Sequence, residues 1–171
     1  DRTDDGAKIH MLSLGGLAHF DYNLPGAYSY EQAFAVMRQL QLPMSSLEEQ
    51  FRRMVFNVVA RNQDDHVKNI AFLMDKSGAW SLSPAFDITY SYQPDGAWTA
   101  HHQMTINGKN DHFDPADFKA CAQAASLQRG RYKAILEEVE KAVSQWPGLA
   151  DAAGVMPAQR DKIRKALRLP G

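Results

Sequence analysis

The chain has 171 residues, enough for one domain with a full core and no need of staples. Apolar residues make up 44% and charged ones 23%, an ordinary globular balance, and a net charge of −1 excludes a domain-wide basic field that would draw in nucleic acid or an anionic membrane. The single Cys121 excludes an internal disulfide framework and a multi-cysteine zinc site, and it fits a reducing compartment, so a cytoplasmic location is expected. No apolar run approaches the roughly 20 residues of a membrane helix, and no signal-peptide pattern is present. The sequence starts at Asp1 rather than Met, which suggests a piece of something longer.

The first thirty residues read as irregular structure with one short strand in KIHMLSL, punctuated by Gly15, Gly16 and LPGAYSY. An amphipathic helix follows in SYEQAFAVMRQLQL, where Tyr30, Phe34, Met37 and Leu40 recur at three- and four-residue spacing. Ser29 is its expected N-cap, Gln32 the capping-box partner and Pro43 its end. A second helix is expected to open at Ser45 or Ser46, with Glu48 and Glu49 in its first turn, and to run to Asn62. Leu47, Phe51, Met54, Val55, Val58 and Val59 give it a wide apolar stripe, which makes it the central core helix. NIAFLMD, KSG and AWSLS predict a β-hairpin over about 69–83. PAFDITYSYQPDG and WTAHHQMTINGKNDHF read as loops. Helices are predicted over 115–126, 131–146 and 158–168, the first with Asp114 as N-cap and Pro115 at its first position. The fold class expected is mainly α within α+β: one helical domain with a small hairpin, and no repeat or long linker.

RNQDDHVKN, residues 61–69, closes the second helix with groups that are costly to bury. Asp64 and Asn69 are five residues apart, the spacing of the base and the metal-binding amide in the protein-kinase catalytic loop. The spacing suits phosphoryl transfer, because the acid must orient a hydroxyl while the amide reaches a Mg²⁺ that bridges phosphate oxygens. A second metal ligand is then needed just after a hairpin, and Asp87 in SPAFDITYSY stands there. One amide and one carboxylate are hard oxygen donors that suit Mg²⁺. Lys68 adds positive charge where phosphate would lie.

The wording of these motifs, NQDDHVKN followed by WSLSPAFDI, resembles the HipA-type serine/threonine kinases. Their signature is similar to N-x-D-D/A-H-x-K-N, a hairpin, then L-x-P-x-Y/F-D. It is matched here by Asn62, Asp64, His66, Lys68 and Asn69, then by Leu82, Pro84, Phe86 and Asp87. DRTDDGAKIHMLSLGGL resembles the segment that opens the family's helical lobe, and MTINGK a short motif after the metal-binding Asp; the resemblance spans roughly residues 1–126. It implies a protein-kinase-like C-terminal helical lobe whose hairpin carries the catalytic and metal-binding loops. It implies Asp64 as the catalytic Asp, with His66, Lys68, Asn69, Phe86 and Asp87 binding ATP, and Asn69 and Asp87 holding Mg²⁺. The implied partners are a protein substrate such as an aminoacyl-tRNA synthetase and a small helix-turn-helix antitoxin of HipB type; DNA would be reached only through that antitoxin. The family also has an N-terminal lobe with a phosphate-gripping loop and an ATP-binding Lys. Neither is found here, since Gly15 and Gly16 come too late and too isolated, so activity is not expected from this piece alone.

Plainer roles stand beside these. Asp65 is an alternative base, although the count to Asn69 favours Asp64 and leaves Asp65 to cap backbone or pair with a cation. Arg61 either favours the dipole at its helix end or partners Asp64 or Asp87. His66 serves the ATP site or braces backbone. His101, His102 and His112 read as solvated loop histidines rather than zinc ligands, and Tyr90, Tyr92 and Trp98 as packing a loop onto the core. Arg129, Arg131, Lys133 and RDKIRKALR read as solvated helix faces, with a phosphate or antitoxin contact left open. Two further functional classes remain: a non-catalytic domain that docks an antitoxin, and a metal-dependent hydrolase built on Asp64, His66 and Asp87.

Overall fold

A computed structural model describes Arg2, Gly6 and residues 8–170. Most of DRTDDGA, on which part of the family resemblance rests, lies outside the described residues. The fold is mixed α+β. Strands β1 (His10–Ser13), β3 (Ala71–Met74) and β4 (Trp80–Leu82) form an antiparallel sheet in the order β1-β3-β4, with Ser13 opposite Ala71 and Phe72 opposite Leu82. β3 and β4 are the expected hairpin. Asp75 organises its turn, since Oδ1 accepts from the Ser77 and Ala79 amides at 2.8 and 3.0 Å.

Helix α2 (Tyr30–Gln39) starts at a complete capping box, in which Ser29 Oγ accepts from the Gln32 amide and Gln32 Oε1 accepts from the Ser29 amide. It stops before Pro43, because Gln41 turns into the left-handed region and the Leu42 amide donates to Met37 O. Pro43 is instead the N-cap of α3 (Met44–Val59), which opens earlier than expected and has no side-chain cap. Glu48 and Glu49 lie past its first turn and serve other ends: Glu48 accepts from Arg131, and Glu49 pairs with Arg52 and Arg53. All six stripe residues of α3 are buried. They pack against Ala33, Phe34 and Met37 of α2 and against Ile135, Val139 and Val143 of α5 (Arg131–Val143). α4 (Pro115–Ala124) is capped by Asp114 as expected, and Asp117 completes the box. The last helix, α7, runs Pro157–Ala166.

Four elements escaped the sequence pattern. α1 (Leu14–Ala18) holds the glycine pair that read as punctuation. Gly15 is there for close approach: its amide donates to Val67 O at 3.0 Å, and a Cβ would meet Val67 Cγ2 at 3.1 Å. β2 (Tyr28–Ser29) pairs in parallel with β5 (Met104–Thr105), inside a stretch that read as loop. α6 (Trp146–Ala152) forms despite Pro147 and Gly148, with Pro147 in its first turn where no amide donor is needed. No described helix is long and apolar enough to cross a membrane.

Candidate active site

RNQDDHVKN leaves the end of α3 through Arg61, whose φ is 60°. The turn is closed by the Asn62 amide donating to Asn57 O at 2.9 Å, so the helix ends at Val59 rather than at Asn62. Arg61 partners neither Asp64 nor Asp87. Its Nε donates to Ala166 O at 2.8 Å, its Nη1 donates to Gln63 Oε1 at 2.9 Å, and its guanidinium lies 4.1 Å from the Tyr92 ring centroid. A cation does sit at a helix C-terminus here, but at that of α7. Tyr92 packs a loop onto the body as expected, whereas Trp98 is 57% exposed.

From Asn62 onward the loop has a buried side and an open side. On the buried side, Asn62 Nδ2 donates to Asn57 Oδ1 and Asn57 Nδ2 donates to the Tyr30 hydroxyl, each at 3.0 Å. That hydroxyl donates to Asp65 Oδ2 at 2.8 Å. Asp65 also accepts from the Gln103 amide at 2.8 Å and faces His102 Nδ1 at 2.9 Å. A buried carboxylate needs such donors, because water is no longer there to solvate it. Burial pushes the Asp65 carboxyl up, but His102, the Tyr30 hydroxyl and the Gln103 amide outweigh it and hold the group below its ordinary range. Burial and the Asp65 charge push the Tyr30 phenol well up, which keeps it a proton donor. His102, expected in solvent, is 1% exposed. His101 and His112 are exposed, with His101 Nδ1 3.4 Å from Asp111 Oδ2.

On the open side, Asp64 is clamped by its backbone. Its amide donates to Ser91 Oγ at 3.0 Å, and its carbonyl accepts from Asn69 Nδ2 at 2.8 Å. Its carboxylate is 49% exposed and has His66 Nε2 at 3.9 Å. His66 Nδ1 is buried without a hydrogen-bond partner, and its ring meets Tyr22 edge-on. The Lys68 ammonium stands 3.4 Å from the Tyr22 centroid, a contact that places the charge without neutralising it. Phe86 is half-buried, and Asp87 is exposed with φ 54°. An acid tolerates that left-handed backbone better than most side chains do. The Asp87 carbonyl accepts from Asn62 Nδ2 at 3.4 Å. Ser91 Oγ accepts from the Gln63 amide as well, at 2.8 Å, and donates to Asn62 Oδ1.

The structure therefore joins Asp64 to Asn69 directly, sets His66 beside Asp64, and ties the backbone after Asp87 to the loop through Asn62 and Ser91. Lys68 is drawn to Tyr22, and Phe86 makes no polar link to the others. Asp64, His66 and Asp87 do not form a metal-holding trio: among the described residues no three His, Cys, Asp or Glu side chains converge. Asn69 and Asp87 do keep hard oxygen acceptors of the kind Mg²⁺ takes. The donor end of the Asn69 amide is occupied by Asp64 O, which leaves Oδ1 as its free acceptor, and the Asp87 carboxylate makes no hydrogen bond among the described residues.

Tyr22, Tyr30, Asn57, Ser91, His102 and Gln103 were missed as site residues. Only Tyr30 gave a signal, since a tyrosine on the buried stripe of a helix needs a partner for its hydroxyl.

The sequence profile of the HipA-like C-terminal domain matches residues 1–146. The chain belongs to the HipA-like C-terminal domain family. Its fold is similar to that of a solved structure described as the Shewanella oneidensis MR-1 toxin–antitoxin system HipA, HipB and its operator DNA complex, with a TM-score of 0.71 and 17% identity. The match covers 91% of this chain and 41% of the other, so this HipA-like domain spans about two fifths of that relative. The comparison with curated proteins found no match. α7 lies beyond the residues matched to the family, although its end holds Arg61 of the site loop.

Proposed function

We propose that the chain is the C-terminal lobe of a HipA-like serine/threonine protein kinase, transferring the γ-phosphoryl group of ATP to a protein hydroxyl. The observation that carries this reading is the junction at Ser91. One hydroxyl binds the amides of Gln63 and Asp64 and the side chain of Asn62, and so ties the loop bearing Asp64 and Asn69 to the segment that follows Asp87. In this reading Asp64 orients the substrate hydroxyl and accepts its proton, an open carboxylate on a fixed backbone. Asn69 Oδ1 and the Asp87 carboxylate would hold Mg²⁺, which would supply charge neutralisation at the phosphate when bound. Lys68, whose ammonium stands over an aromatic ring rather than beside an acid, attracts the phosphates, and His66, with Nε2 beside Asp64, lines the ATP site. Phe86 lies beside the nucleotide.

The relative solved with HipB and operator DNA supports a HipB-type antitoxin as partner. An aminoacyl-tRNA synthetase is the substrate class the family resemblance implies.

Calorimetric titration of the complete natural protein with MgATP tests the metal assignment. Asp87→Asn is expected to abolish Mg²⁺-dependent binding with the melting temperature nearly unchanged; full affinity in that variant would overturn it. Asp64→Asn is expected to bind MgATP and transfer no phosphoryl group. Transfer at the wild-type rate would remove Asp64 from the chemistry.

A further inference from the structure

Asp65 and His102 are each 1% exposed and 2.9 Å apart. The other imidazole nitrogen, Nε2, lies 3.3 Å from Arg168 Nη1. A guanidinium only donates, so Nε2 carries the lone pair and the ring proton sits on Nδ1, where the carboxylate accepts it. The imidazole thus bridges a buried carboxylate and a guanidinium through its two ring nitrogens. Arg168 is fixed in turn: its second amino group pairs with Asp111, and its amide donates to Val59 O at 3.0 Å. It was expected on a solvated face but is half-buried, just past α7 and beyond the residues matched to the family.

We propose that Asp65, His102 and Arg168 form a relay that positions Asp64, so that the segment after α7 sets the geometry of the candidate active site. The relay rests on the phosphoryl-transfer reading for what Asp64 does, not for how it is held.

Both flanks of Asp64 are tied to the last residue of α7 and the segment just past it. Ahead of it, Gln63 is bound by Arg61, whose Nε donates to Ala166 O. Behind it, Asp65 is bound through His102 to Arg168. The Asp64 carboxylate has no hydrogen bond of its own among the described residues, so its position follows from the two peptide planes beside it. Those planes are rigid, and turning the Asp65 anchor rotates the Asp64 carbonyl that Asn69 holds. Asp65 is therefore a positioning residue rather than a spare base, and His102 carries the position of Arg168 to it.

Two variants cut the relay at different links in the complete protein. Arg168→Met keeps the apolar stem and removes the donors. His102→Asn keeps an N–H one bond beyond Cγ for Asp65 and loses the link to Arg168. Each is expected to lower kcat by roughly three- to thirtyfold, with KM for ATP within about twofold of wild type. The double variant should be no worse than the worse single one, because both cut one link. Amide exchange at Gln63 and Asp64, measured without nucleotide, should quicken in both variants. Unchanged kcat and unchanged exchange at those amides in Arg168→Met would overturn the relay. Additive losses in the double variant would overturn it too, as would losses that only track the unfolded fraction. If the wild-type protein transfers no phosphoryl group while Asp64 exchange still quickens in the variants, the relay stands and the kinase reading falls.

Discussion

Asp64 and Asp65 are adjacent in sequence and opposite in setting. Asp64 is half exposed, and only its backbone is held. Asp65 is sealed from water, and its carboxylate takes three donors, one from Tyr30 and two from the neighbours His102 and Gln103. The contrast separates reactivity from anchoring. A carboxylate that must meet a hydroxyl or a metal has to keep free lone pairs and an open side. A carboxylate that fixes a loop has to give its lone pairs away. Placing one of each next to the other lets a single turn of backbone do both.

The largest expected difference between the two is in stability. Asp65→Ala leaves the buried donors of Tyr30, His102 and Gln103 without their acceptor and should cost about 3–5 kcal/mol in urea unfolding. Asp64→Ala, on an open surface, should change stability by no more than about 0.5 kcal/mol. Equal losses would erase the division of labour.

Next comes the junction between the two sides. Ser91→Ala strips an acceptor from the Gln63 and Asp64 amides and should cost about 1–3 kcal/mol, with faster amide exchange at both. Tyr30→Phe removes one hydroxyl that serves both Asp65 and Asn57, and a loss of about 1–3 kcal/mol is expected there too, confined to the buried side. Exchange at Asp64 as fast as in Ser91→Ala would show that the two sides are not separable.

The smallest effect is the dependence on pH. The folded Asp65 carboxyl titrates below its unfolded value, so the unfolded chain binds more protons between the two. Its stabilisation is complete above the unfolded value, about 3.9, and is lost as pH falls through the folded one. The stability gap between wild type and Asp65→Asn should therefore narrow below about pH 4. A gap independent of pH would mean that Asp65 is not held as an anion.

The parts of this fold that could be read locally were read. The capping box at Ser29, the N-cap at Asp114, the stripe of α3 and the Lys76-Ser77-Gly78 turn of the hairpin are all written within a few residues of where they act. The spacing of five from Asp64 to Asn69 is also a local fact, and the structure adds that Asp65 is buried while Asp64 is open.

What sequence alone left open lies in contacts across long separations. That His102 is a buried partner of Asp65 and not a solvated loop histidine depends on a pairing 37 residues apart. Two-residue strands such as Tyr28–Ser29 and Met104–Thr105 carry no periodicity, because they exist only through each other. Gly15 looked like a break until the approach of Val67 showed that a Cβ there would be crowded. Periodicity, capping and turn chemistry determined the longer helices and the hairpin, and the motif named the candidate site residues. The tertiary structure decided which polar groups face water and which are sealed in, because burial belongs to the packed whole rather than to any stretch of chain.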